Sequence, residues 1–563
     1  MHVSVSELSL AEEPTTGGGG GGGTGGRAGS QPAEPGGSLM TQPLEDDTVE
    51  SWIHHPKQFF ILSISGRPIY SYHGDEDHLA GLMALITALV SVVQNQGDTL
   101  QHITHGPTLI VFLPRGPLLL VATSRLGEPP GPLGRQLLLL HRQLTLVVSS
   151  GLERHLDRNP SYDARGLLSG VPPMLSALIR QLRLDPAYLL GGLQPLPLPA
   201  ADRAAIKAAL HDAMRAPRRA ADADGSSSGN GNGNSNGPPQ LLYGLIMVGS
   251  HIVSAVGAKG QPALDAGDVL CLANFITSNP AYRTDCGDVF CPVCLPSFNP
   301  DAFVHTHIAY LDRGVGLYVV LLAGAPDAYR ALTAAREALQ SRLTVTGMLH
   351  RLRSLLLACS ATGAVSAGGG SGRGSSSGRA ELRSGSGAGN DSGSGVGGTP
   401  ASASAPQPWG VEHCAHRGRA LGPVGAFDAG LAGRVLLDTL PRPVGGRWGA
   451  TPLWHFLAHL TTKGQALSSG PCPLFADLAG RQRLATGYAR LVGLVRDAGS
   501  EPSRPNRVAW LSCDDHCMLA VLDSECELYL VLDPLCDEAL GAQVAAGLRK
   551  HLLDRRVQAD LLL

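Results

Sequence analysis

Three low-complexity runs divide this 563-residue chain and limit what it can fold into. Residues 17–26 are nearly all Gly, residues 225–237 are Gly, Ser and Asn, and residues 364–406 are Gly, Ser and Ala with scattered Arg. Such stretches carry too few large apolar side chains to offset the entropy of ordering the backbone. What lies between them must hold the cores. It is enough for three small domains of ordinary density.

Each block repeats one order of signals. In the first, Phe59–Leu62 is an apolar run of strand length. Ser65-Gly66-Arg67-Pro68 supplies turn residues, and Ile69–Tyr72 favours a returning strand. His73-Gly74 breaks that strand. Asp75, Glu76 and Asp77 then place negative charge where a helix begins. Leu79, Leu82, Met83, Ile86, Leu89, Val90 and Val93 follow helical spacing, which fits core better than a partner site. Thr108–Leu113 and Leu118–Thr123 predict a second hairpin, and a single helix is expected from about Leu133 to Leu156. The order strand, strand, helix, strand, strand, helix suits an antiparallel sheet with helices on one face.

The second block predicts strands at Leu241–Val248, Ile252–Val256, Phe290–Leu295, Ala302–Leu311 and Leu317–Leu322. Its helices are expected at Leu264–Ile276 and Asp327–Leu343. The third block is less regular. Leu453–Thr462 and an amphipathic stretch near Leu484–Val495 precede strands at Met518–Leu522 and Leu528–Leu532 and a helix over Asp537–Leu553. The fold class is α/β (α+β), with three antiparallel sheets, flanking helices and disordered Gly/Ser-rich linkers. The divisions are a disordered tail at 1–55, domains at 56–160, 240–345 and 446–563, and a helical linker at 161–216. Disordered insertions are placed at 217–239 and, for the most part, at 346–445.

Charge and motifs exclude more than they assign. Lys and Arg number 44 against 47 Asp and Glu, a net charge of −3, so nothing here points to nucleic acid. Met1–Glu13 has no apolar signal core. The longest apolar run, Gly81–Val93, is shorter than the ~20 residues of a membrane span. The eleven cysteines read as reduced thiols. There is no phosphate-binding Gly-Lys-Ser/Thr, no nucleophile elbow and no His-Glu-x-x-His, so no enzyme with covalent chemistry and no cofactor is expected. Cys291, Cys294, His305 and His307 have ligand types that suit Zn²⁺, but the two histidines are two apart on one strand, and half-buried strands with small thiols are the preferred reading. Cys513-Asp-Asp-His-Cys517 reads as a polar loop in the same way.

Lys57-Gln-Phe-Phe-Ile-Leu-Ser-Ile-Ser-Gly-Arg-Pro-Ile-Tyr-Ser, Gly74 and Ala88-Leu-Val-Ser91 resemble the opening of vacuolar fusion proteins of the Mon (monensin-sensitivity) family. The resemblance continues through Asn159-Pro-Ser-Tyr-Asp163, Leu167-Leu-Ser-Gly170 and Pro292-Val-Cys-Leu-Pro-Ser-Phe-Asn299 with His305-Thr-His307. It ends with Leu453-Trp-His-Phe-Leu457, Ser468-Ser-Gly-Pro471 and Cys526-Glu-Leu-Tyr529. It implies three longin-type domains in one subunit of a heterodimer with a Ccz-family longin protein. It further implies a guanine-nucleotide exchange factor for a Rab GTPase of the Rab-seven subclass, recruited peripherally to phosphoinositide-marked late-endosomal and vacuolar or lysosomal membrane. A longin tether that binds a GTPase without exchange is the competing reading.

The same resemblance points to the first domain as the working surface. Arg67, Pro68, Tyr70, Tyr72, His73 and Gly74 form a short stretch expected to be exposed, and Tyr and Arg are enriched at interface hot spots.

Overall fold

The computed structural model describes residues 55–74, 79–223, 240–279, 281–284, 287–365, 452–469, 475, 477–496, 508–561 and 563. The expected N-terminal disorder up to residue 54, the acidic cluster at 75–77, most of the 217–239 insertion and residues 366–451 lie outside them.

Three five-stranded antiparallel sheets carry the fold, all with one strand order. The first contains β1 (Lys57–Ser63), β2 (Pro68–Ser71), β3 (His102–His105), β4 (Thr108–Arg115) and β5 (Leu118–Ser124), in the spatial order β2-β1-β5-β4-β3. Helix α1 (Ala80–Asn95) crosses between its two hairpins, and α2 (Pro130–Val148), α3 (Gly151–Arg158) and α4 (Pro172–Leu184) follow. After a short 3₁₀ turn at Pro186–Leu190 and α5 (Ala200–Ala223) comes the second sheet. It holds β6 (Leu241–Val248), β7 (His251–Gly257), β8 (Val289–Cys294), β9 (Phe303–Asp312) and β10 (Leu317–Ala323). Helices α6 (Ala266–Thr277), the one-turn α7 (Ala281–Thr284), α8 (Tyr329–Val345) and α9 (Met348–Val365) accompany it. The third sheet holds β11 (Leu453–Leu460), β12 (Gln465–Ser468), β13 (Val508–Ser512), β14 (Cys517–Leu522) and β15 (Cys526–Leu532). Its helices are α10 (Leu478–Arg496), α11 (Glu538–Leu553) and α12 (Arg555–Leu561).

Helices cover both faces of each sheet, not one. In the first, alternate residues separate cleanly. Phe60, Leu62, Leu119 and Val121 pack with α1, whereas Phe59, Ile61, Leu118 and Leu120 pack with α2 and α4. Successive strand side chains point to opposite faces, so a strand buried on both sides reads as a continuous apolar run. Phe59-Phe60-Ile61-Leu62 is such a run. The second sheet is likewise sandwiched between α5 with α8 and α6, and the third between α11 and α10.

Several expected boundaries shift for local reasons. The helix expected over 133–156 is two helices, because Ser149 adopts φ 54°, a left-handed conformation that ends α2. Residues 161–216 are not a linker. Met174, Leu175, Leu178 and Ile179 of α4 complete the first core, and Ile206, Leu210 and Met214 of α5 complete the second. α5 also runs past the expected insertion start at 217, through Pro217 to Ala223. α9 occupies the start of the segment assigned to low complexity, where Leu352 and Leu356 reach the second core at helical spacing.

The three units join through residues 186–196. Leu193 makes a parallel bridge to Gln465 on β12, and Pro195 one to Ile252 on β7. Gly192 is pressed against β12 so closely that a Cβ there would lie 2.7 Å from Ala466 N and 2.9 Å from the Gln465 carbonyl carbon. Arg490 of α10 donates to the carbonyl of Leu126 (2.7 Å) and to that of Gly127 (3.2 Å), which ties the third unit to the β5–α2 loop of the first.

Candidate functional site

The β1–β2 turn and α1 form one surface. Ser63 N donates to Arg67 O (2.9 Å) and Gly66 N to Ser63 O (2.9 Å), closing a tight loop. Gly66 takes φ +82°, and a Cβ on it would stand 3.3 Å from Ala84 Cα on α1. The turn therefore needs glycine twice over, for its backbone conformation and for the close approach. Ser65 Oγ donates to Pro160 O (2.6 Å), which fixes the loop from the other side.

Of the six residues proposed from sequence, Arg67 and Gly74 are exposed and Pro68 and Tyr72 are half-buried. Tyr70 and His73 are buried, so the expected exposed aromatic pair is corrected. The hydroxyl of Tyr70 meets Ser176 Oγ of α4 at 2.9 Å. His73 stacks on His55 with ring centroids 3.7 Å apart, and Tyr72 stands edge-on to His73 at 4.2 Å and to Phe59 at 6.3 Å. Gln58, fully buried on β1, accepts from the backbone N–H groups of His73 (3.0 Å) and Phe59 (3.1 Å) and organises this corner. These side chains are consumed in folding because α4 covers the face of β2 that a one-sided sheet would leave to solvent.

The exposed apolar surface lies instead on the back of α1. Leu79, Met83, Ile86 and Val90 face the sheet. Gly81, Ala84, Leu85, Ala88 and Val92 form one exposed stripe at helical spacing, with Leu85 44% and Val92 57% accessible. Isolated exposed leucines are ordinary. What distinguishes this helix is that none of its sixteen residues carries a charge. Ile64, also exposed, and Arg67 border the stripe at the turn that Gly66 holds against Ala84. Behind Arg67 lies Asp163, whose carboxyl is held below its usual range mainly by its hydrogen bonds with Arg165, with Arg67 contributing. Helical spacing in the sequence marks Leu79–Val93 as core, and the structure shows that the same helix also carries a second, exposed apolar face.

The cysteine–histidine groups do not form a centre. On β8 and β9, Phe290 pairs with His307, Cys291 with Thr306 and Pro292 with His305. Strand alternation puts Cys291 on the α6 face, away from His305 and His307 on the α8 face. Burial pushes the Cys291 and Cys294 thiols each up to about 11, away from the thiolate a metal requires. Cys513 and Cys517 flank a tight hairpin in which Cys513 N donates to His516 O (2.9 Å), and His516 packs edge-on against Phe475. Among the described residues no cluster of three or more His, Cys, Asp or Glu side chains is arranged to hold a metal ion.

The first and second sheets coincide with two family models. Residues 57–178 match the first longin domain of FUZ, MON1 and HPS1, and residues 239–341 match the second. Both units are longin domains of the FUZ, MON1 and HPS1 family. The third sheet repeats their strand order. The curated relatives include a rice protein named vacuolar fusion protein MON1 homolog, 27% identical over 89% of this chain and 74% of its own length. The Arabidopsis thaliana protein of that name is 34% identical over 54% of this chain and 46% of its own length. Human vacuolar fusion protein MON1 homolog A is 31% identical over 59% of this chain and 47% of its own length. The matched region thus spans about half the length of the latter two. The first family model begins at Lys57 and ends at residue 178 within α4, so the matched longin unit includes Ser176, which meets the Tyr70 hydroxyl.

Proposed function

We propose that this longin protein acts in vacuolar fusion and endosomal trafficking as one subunit of a guanine-nucleotide exchange factor for a Rab of the Rab-seven subclass. The single observation that carries the site assignment is the uncharged, exposed back of α1 beside Arg67. An uncharged stripe of Gly81, Ala84, Leu85, Ala88 and Val92 lets another protein approach the helix closely and bury apolar area without stranding a charge. A Ccz-type longin subunit docks there, and Arg67 lies at the rim of the composite platform that receives the Rab.

Exchange proceeds by differential binding and needs no nucleophile, general acid, metal or cofactor in the exchange factor. A platform that binds the nucleotide-free Rab more tightly than the loaded one weakens nucleotide binding by the same factor. A thousandfold faster release corresponds to about 4 kcal/mol of barrier lowering, which a few interface hot spots can supply. No described helix is long and apolar enough to cross a membrane, so recruitment to phosphoinositide-containing late-endosomal or vacuolar membrane is taken to be peripheral.

The test uses the full chain co-purified with a Ccz-type partner and measures labelled GDP release from candidate Rabs. Leu85→Glu with Val92→Glu is expected to abolish co-purification, and Arg67→Glu to slow release by tenfold or more while the pair still forms. Full release by all variants refutes the site. A stable pair that binds the Rab and releases no nucleotide replaces exchange with the tether reading.

A further inference from the structure

We propose that the loop at 159–163 positions Arg67 on the platform that receives the Rab, and that Ser65 is the latch through which it does so. The consequence for nucleotide release rests on the function proposed above. The latch itself follows from hydrogen-bond direction. A carbonyl oxygen can only accept, so the single hydroxyl proton of Ser65 goes to Pro160 O (2.6 Å). Ser63 Oγ lies 2.7 Å from Ser65 Oγ, and the proton between them must therefore come from Ser63. Ser63 Oγ in turn accepts from Arg67 N (3.2 Å). The three bonds form a one-way relay that starts at the Arg67 amide and ends on the loop. Ser63 is buried and Ser65 is exposed, so the relay runs from the foot of the turn to its surface.

The loop that receives it is fixed in its own right. Proline at 160 restricts the backbone there to one φ. Asn159 N donates to His155 O at the end of α3 (3.0 Å), and Tyr162 N donates to Asn159 O (3.0 Å). The Tyr162 ring stands edge-on to His155 with centroids 4.3 Å apart. Asp163 closes the loop by accepting from Arg165 N (3.1 Å), and its carboxylate pairs with the Arg165 guanidinium at 2.9 Å. The same carboxylate exerts a second, solvent-screened attraction on Arg67. On its other sides the turn is seated by Ile64 N on Pro117 O (2.8 Å) and by the approach of Gly66 to Ala84. Those contacts set the height of the turn over the sheet and α1. The relay and Asp163 act on Arg67 itself, from its amide and from its guanidinium. Asn159-Pro-Ser-Tyr-Asp163, a motif otherwise without a role, thereby acquires one.

Two measurements test this. Amide protection in the full chain, read by hydrogen–deuterium exchange, reports the latch without any partner. Ser65→Ala should lower protection over residues 63–67 by about threefold to tenfold, and Ser65→Thr, which keeps the donor, should restore it. GDP release by the chain co-purified with a Ccz-type partner reports the consequence. Ser65→Ala should slow release by about threefold to tenfold while the pair still forms, and Ser65→Thr should release as the wild type does. In an Arg67→Ala background Ser65→Ala should add nothing, which a general loosening of the domain would not reproduce. Unchanged protection in Ser65→Ala, or Ser65→Thr behaving as Ser65→Ala, overturns the latch. Unchanged release, or the same further slowing in the Arg67→Ala background, overturns positioning through Arg67. A wild-type pair that captures the Rab and releases no nucleotide overturns the exchange reading alone, and the same variants are then compared for Rab capture with the same outcomes. A wild-type pair that does neither overturns the exchange reading and the positioning together, and amide protection still decides the latch.

Discussion

Glu128→Gln should destabilise the first longin domain far more than a substitution of one atom suggests. Lys57 and Glu128 form an ion pair at 2.7 Å with side chains 2% and 4% accessible. Ser124 Oγ donates to the second carboxylate oxygen at 2.8 Å, and the Lys57 ammonium stands 5.6 Å over the Phe59 ring. Removing one partner of such a pair leaves a buried charge without compensation, at a cost of about 3–5 kcal/mol. At roughly 2–4 °C per kcal/mol for a domain of this size, the melting temperature should fall by roughly 6–20 °C. Burial outweighs the attraction of Glu128, so Lys57 already titrates below its ordinary value. Between that lowered value and about 10.4, the unfolded chain binds more protons than the folded one, and stability rises with pH. Glu128→Gln deletes the attraction that opposes burial and lowers the folded value further, so its deficit should shrink as pH rises from that further-lowered value to the wild-type one and stay constant above it. The double variant Lys57→Met with Glu128→Leu should recover most of the loss, because an apolar pair of similar volume often equals a buried ion pair. Urea unfolding across this pH range, with hydrogen exchange on α10, measures the effect. The exchange arm follows because the Glu128 loop is what Arg490 grips and what Gly493 packs against at Pro129. A loss below about 1 kcal/mol, or a double variant as unstable as the single one, refutes the reasoning.

Gly192→Ala should separate the 186–196 segment from β12, because the added Cβ meets backbone atoms of Gln465 and Ala466 that cannot rotate away. Overpacking of this kind costs about 1–3 kcal/mol, and faster protease cleavage next to β12 would reveal it. His455, fully buried against the Tyr488 hydroxyl at 2.8 Å, is pushed down to about 3 by burial. Between about 3 and its unfolded value near 6.5 the unfolded state binds the extra proton, so stability is lost as pH falls, by about 2 kcal/mol from pH 6.5 to 5. His455→Gln should flatten that part of the pH profile, and an unchanged slope would assign it to other groups. Tyr70→Phe loses its contact with Ser176 and should cost about 1 kcal/mol in urea unfolding without altering partner capture, since its ring lies inside the domain.

What the sequence determined by itself was the set of elements with strong periodicity. The run Phe59–Leu62, the hairpin Leu118 closes with Thr108–Leu113, the α1 stripe and all five strands of the second sheet follow from apolar spacing and turn residues alone. The short edge strands β3 (His102–His105), β12 (Gln465–Ser468) and β13 (Val508–Ser512) were not legible, because an edge strand of four or five residues owes its pairing to the neighbour that templates it. The break at Ser149 carried no signal either, since the sequence places no Gly or Pro at that position. The candidate surface divided in the same way. Gly66 and Arg67 were readable as an exposed turn, whereas the fate of Tyr70 and His73 was decided by α4 and Gln58, which lie 106 residues beyond Tyr70 and 15 before His73 in the chain. Local spacing tells which residues share a face. Only the tertiary structure decides whether another element arrives to cover it, and here helices reached both faces of every sheet and left the uncharged back of α1 outside.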